Sequence, residues 1–121
     1  MTTVKNLMGA GNSGLSAQAS VGLLANSLTA TGNSQGTALA LGSDFNVFTT
    51  VAASTGCILP TGSAADWYTV VNHGSNTLSV YPPVGGKIAN GSTNAAFSVG
   101  ANKTAQFQCI DGLNYAASLS A

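Results

Sequence analysis

Trp67-Tyr68-Thr69-Val70-Val71-Asn72 is the stretch on which the fold of this chain turns. Every residue before the Asn is aromatic or β-branched, the types that suit a pleated surface and are stiff in a helix. Turn formers flank it: Gly62-Ser63 and Asp66 precede it, and His73-Gly74-Ser75-Asn76 follows as an expected hairpin loop. Extended residues between two turn clusters read as a strand.

The same texture continues in both directions. Downstream, Thr77-Leu78-Ser79-Val80-Tyr81 alternates until Pro82-Pro83 stops it. Ile88 sits between Gly-rich turns. Ala95, Phe97 and Val99 share one face, and Ala105, Phe107 and Cys109 share another. Asp111-Gly112 is a turn, and Asn114 to Leu119 forms a last strand. Upstream, Gly56-Cys57-Ile58-Leu59 is a short apolar run closed by Pro60. Phe45, Val47, Thr49 and Val51 fall on one face, and Thr37 to Leu41 alternates. About eight short strands at regular spacing predict an all-β sandwich or barrel over residues 37–121.

Residues 1–36 differ. They are rich in Gly, Ser, Asn and Ala, with apolar residues in islands at Leu7 and Met8, Leu15, Val21, Leu23 and Leu24, and Leu28. A short helix or strand near 15–28 fits this pattern. The segment reads as an N-terminal arm, because structureless loops of this length are uncommon inside compact domains. Leu7, Met8, Leu15, Val21, Leu23 and Leu24 are the expected partner-binding positions.

Composition narrows the function. Hydrophobic residues make up 45% of the 121-residue chain, but charged residues only 5%, against roughly 25% in an average soluble protein. Net charge is zero, and the cations are three scattered lysines, Lys5, Lys87 and Lys103. They make no basic patch for nucleic acid or for an anionic membrane surface. No run approaches the length of a membrane span, and the N-terminus lacks the pattern of a secretory signal. The expected place of synthesis is therefore a cytoplasm, where Cys57 and Cys109 stay free thiols. A neutral surface favours association, so the chain is expected to work inside an assembly.

No constellation points to catalysis, a cofactor or a metal. Gly9-Ala10-Gly11-Asn12-Ser13-Gly14 matches the dinucleotide pattern G-x-G-x-x-G. The acid expected about 20 residues on is missing, and no βαβ unit follows. His73 is the single histidine, and a metal site needs several convergent ligands. It sits at the opposite end of a strand from Asp66, roughly 20 Å away, too far for a triad. Asp44, Asp66 and Asp111 are too dispersed in sequence to suggest a paired-carboxylate site. Trp67, Tyr68, Tyr81 and Tyr115 could build a sugar-stacking platform, although core packing is the commoner use of such residues. Trp67 and Tyr68 point to opposite faces of their strand. Asn90-Gly91-Ser92 and Asn102-Lys103-Thr104 match the glycosylation pattern but read as turns.

Residues 44–117 resemble a group of small tailed-bacteriophage proteins. The resemblance rests on Asp44 to Val51, Gly56-Cys57-Ile58-Leu59-Pro60, Tyr68 to Gly74, Leu78 to Pro82, Gly86-Lys87-Ile88 and Phe107-Gln108-Cys109 before Tyr115. The order of strand, Leu-Pro, strand, Asn-x-Gly turn and Val-Tyr-Pro is similar to capsid decoration, or cement, proteins. The resemblance implies a jelly-roll-type β-sandwich of about eight short antiparallel strands. It implies a homotrimer, or a dimer, made in a bacterial host cytoplasm and seated on the outer capsid of the virion, where it staples neighbouring copies of the major capsid protein. It carries over no catalytic residue and no cofactor. The alternative is a fibre or tail-associated module that binds host-surface glycans.

Overall fold

The computed structural model describes residues 24–120. Among these residues there is no helix, and nine strands form. They are β1 (Leu24–Thr29), β2 (Leu39–Ala40), β3 (Phe45–Thr50), β4 (Gly56–Ile58), β5 (Trp67–Asn72), β6 (Leu78–Tyr81), β7 (Phe97–Val99), β8 (Thr104–Cys109) and β9 (Tyr115–Leu119). A first sheet has the order β1-β3-β5-β8-β9, and a second has the order β2-β4-β6-β7.

The all-β expectation holds, but the antiparallel jelly-roll topology does not describe this pairing. From β1 to β6 the chain alternates between the sheets, and each strand lies parallel to the strand two before it. Thus β1, β3 and β5 are parallel in one sheet, and β2, β4 and β6 in the other. These six strands make three turns of a flattened coil. The last three strands close it with antiparallel pairs β6–β7, β5–β8 and β8–β9. The short turn between β8 and β9 makes that pair antiparallel, whereas a crossover to the other sheet brings the next turn back parallel.

The loop at His73–Asn76 shows why. It was expected as a hairpin, yet it carries the chain from β5 in one sheet to β6 in the other. The buried Asn72 side chain fixes that crossover. Its Nδ2 donates to the carbonyls of Asn76 (2.8 Å), Val99 (2.9 Å) and Gly100 (3.2 Å), and its Oδ1 accepts from Gly74 N (2.9 Å). Asn76 Nδ2 donates to Val51 O at 2.9 Å, tying this crossover to the one after β3. Gly74 is required at this contact, because a Cβ there would come 2.7 Å from Val51 Cβ.

Side chains stack along the coil as rows. Leu39, Cys57, Val80 and Phe97 are paired across the second sheet, and Leu28, Phe48 and Asn72 across the first. The inward faces enclose one core, with Phe48, Val70, Phe107 and Tyr115 from one sheet against Cys57, Leu78, Val80 and Val99 from the other. Phe97 meets Phe107 across the sheets, edge to face, with ring centroids 5.5 Å apart.

The folded unit starts before residue 37, so the boundary between a 1–36 arm and a 37–121 domain needs correcting. Leu24–Thr29 is a sheet strand, Ala30 is buried in the core, and Thr31 bridges to Gly56. The Gly32–Thr37 turn is also built in: Gln35 Nε2 donates to Pro82 O at 2.8 Å. The sequence left a short helix or strand near 15–28 open, and β1 is a strand; its irregular register, with Ser27 in a left-handed conformation, denies it clean alternation.

Candidate interaction surface

The parallel register brings the starts of β1, β3 and β5 to one end of the first sheet. Leu24 pairs with Phe45, and Phe45 with Thr69, two residues beyond Trp67. All three large side chains point away from the core, and they are 67%, 43% and 53% exposed respectively. The β8–β9 turn arrives at the same end, since Trp67 pairs with Gln108, and adds exposed Ile110 and Leu113. Gly86 packs on the Leu113 carbonyl, bringing the loop of exposed Val84 alongside. One end of the domain therefore carries a run of solvent-facing apolar side chains.

The face containing Phe45, Val47 and Thr49 is the outward one. Asn46 and Phe48 fill the inward positions. Asn46 Nδ2 donates to Ser43 O (2.8 Å) and Thr69 O (3.3 Å), whereas its buried Oδ1 has no partner among the described residues. The other buried Asn, Asn72, uses both of its polar atoms, as the crossover shows.

The three carboxylates lie at this same end: Asp44 before β3, Asp66 before β5, and Asp111 in the β8–β9 turn. Asp66 Oδ2 accepts from Ser63 N at 2.9 Å. Asp111 accepts from the Asn114 side chain and backbone, which holds its carboxyl below the ordinary range. Burial, then Asp66 and Asp44, raise the Tyr68 phenol. Burial first, then neighbouring Cys109 and Tyr68, pushes up the Tyr115 phenol, which donates to Pro60 O. Tyr68 and Tyr115 are packed ring to ring at 6.0 Å.

These groups anchor loops. His73 is exposed at the far end of β5 from Asp66, so the strand separates them. Among the described residues no group of three His, Cys, Asp or Glu side chains comes together to hold a metal. Cys57 and Cys109 are free and buried, and burial pushes the Cys57 thiol up. Asn102 adopts a left-handed conformation in a turn, and Asn90 precedes the Gly91 turn onto Ile88 O.

Of the positions expected to bind a partner, Leu7, Met8, Leu15, Val21 and Leu23 lie outside the described residues, as does the Gly9–Gly14 motif. Leu24 is the first residue of β1 and is exposed. Phe45, Ile110, Leu113 and Val84 were not singled out from sequence. Period-two alternation shows which residues share a face, but not which face meets the core.

Fold and surface together define a class: a small two-sheet β-coil with an apolar end. No protein-family model matches the chain, and no curated protein or solved structure was found to match it.

Proposed function

We propose that this chain is a structural virion protein, a capsid decoration protein that binds the outer capsid surface and staples neighbouring major capsid subunits as a homotrimer. The supporting observation is the concentration of Leu24, Phe45, Trp67, Ile110, Leu113 and Val84 at one end of a domain that carries little charge elsewhere. Exposed apolar side chains gathered in one area mark interaction sites. Decoration requires a stable domain and a contact surface, with no chemistry. A nearly neutral surface lets many copies sit close together without mutual repulsion. On this reading the apolar end faces the shell, and Leu24 is the one described residue of the expected contact set.

The exposed pair Phe45 and Trp67 also favours a second reading, a fibre or tail module that stacks aromatic rings on host-surface sugars. Binding to purified capsids that lack this protein, run beside a glycan array, separates the two. Decoration predicts saturable capsid binding that Trp67→Ala weakens by about tenfold or more, as for a buried aromatic anchor. Glycan binding that is lost in Trp67→Ala, with no binding to capsids, would replace decoration by the second reading.

A further inference from the structure

The charges of the described residues are sorted between the two ends of the first sheet. Asp44, Asp66 and Asp111 lie at the end that carries Phe45 and Trp67, with one cation, Lys87, beside Asn114. Lys103 lies at the other end, where Asn72 N donates to its carbonyl at 2.9 Å. Two of the carboxylates border exposed apolar side chains along the chain: Asp66 precedes Trp67, and Asp111 follows Ile110. Both aspartates are themselves exposed.

These two carboxylates are held on a fixed scaffold. Ala65 N donates to Cys109 O (2.7 Å), Cys109 N to Asp66 O (2.8 Å) and Gly62 N to Gly112 O (3.1 Å). The loop before β5 and the β8–β9 turn are therefore stitched side by side. Asp66 Oδ2 accepts from Ser63 N at 2.9 Å, which uses one of the roughly four acceptor sites of a carboxylate. Asp111 accepts from the Asn114 amide through both oxygens. Burial first, and then Asp66 and Asp44, raise the Tyr68 phenol, in keeping with a negative potential at this end.

We propose, on the reading of this end as the contact surface, that it docks a protein surface of opposite sign, one that sets arginine or lysine side chains around an apolar centre. Apolar area supplies the attraction, and Asp66 and Asp111 select the partner: a cation gains there and a like charge is repelled. The exposed rings of Phe45 and Trp67, on adjacent strands, add faces on which a guanidinium stacks. The separation of charge between the two ends also orients the domain as it approaches.

The test uses the full-length chain and no capsid, so a failure of capsid binding and a failure of charge selection are separate results. Three blocked tetrapeptides share a two-leucine centre and differ only in their end residues, which are arginine, glutamine or glutamate. Each is titrated at low salt while the Trp67 indole N–H and the backbone amides are followed by NMR. The arginine peptide should shift Trp67 and Ile110 and bind about threefold or more tighter than the glutamine peptide, with the glutamate peptide weakest. The difference should shrink as sodium chloride is raised. Asp66→Asn combined with Asp111→Asn keeps an acceptor oxygen for Ser63 N and Asn114 N, and should bring the arginine peptide to the level of the glutamine one. Glutamine or glutamate peptides that bind the Trp67 end as tightly as the arginine peptide overturn the proposal, with no variant needed. So does an unchanged preference in the double variant, or an arginine peptide that shifts only the His73 end or nothing at all.

Discussion

Tyr115 is 1% exposed, and its hydroxyl donates to Pro60 O, tying the start of β9 to the loop after β4. Its phenol is held above the ordinary value of about 10, chiefly by burial. The folded state therefore keeps a proton that the unfolded chain gives up in alkali. The stability this implies is complete below about pH 10 and is lost as pH rises towards the folded value. Urea midpoints should fall beyond about pH 10. Tyr115→Phe should lose about 1 kcal/mol at pH 7 with its hydrogen bond, and should show a shallower alkaline decline. An equal decline in both proteins would place the titration elsewhere. Cys57 yields a second residue-scale expectation. Buried and fully protonated at neutral pH, it should resist a thiol reagent in the native protein, and both cysteines should react once the chain is unfolded. Rapid labelling of Cys57 in the native state would contradict its position in the core.

At the scale of elements, the parallel stacking makes sharply different demands on glycines of the same type. A Cβ on Gly56, in β4, would strike the carbonyl of Ser79, its partner in β6. Gly36 and Gly42 have open space around them. Gly56→Ala should cost about 1–3 kcal/mol, the usual range for overpacking, and lower the melting temperature, whereas Gly36→Ala should be nearly neutral. Equal melting temperatures would argue against the β4–β6 register. Strand positions were legible in the sequence because Pro60, Pro82 and Gly-rich turns punctuate runs such as Trp67–Asn72 and Leu78–Tyr81. Their arrangement was not. Alternation has the same period in parallel and antiparallel sheets, and the sequence His73-Gly74-Ser75-Asn76 suits a hairpin as well as a crossover. The deciding contacts, Asn72 to Gly100 and Asn76 to Val51, join residues more than 20 positions apart. The candidate surface was half legible for a related reason: Trp67 stood out by type, but Phe45 resembled a core residue until Phe48 was seen to fill the inward position.

For the molecule as a whole, the two ends of the first sheet differ. One collects Leu24, Phe45, Trp67, Ile110 and Leu113 with all three aspartates; the other carries Lys103 and His73 among Asn and Ser turns. A contact made through the first end would bury the aromatic and aliphatic side chains and leave the polar turns in water. That orientation is the central claim in its most exposed form. A reconstruction of the virion at a resolution that separates strands tests it directly. Decoration predicts density for this two-sheet domain on the outer capsid lattice, repeated at subunit boundaries, with the Trp67 end against the shell and the His73 end towards solvent. Density for the domain at the tail, with none on the capsid lattice, would contradict the account.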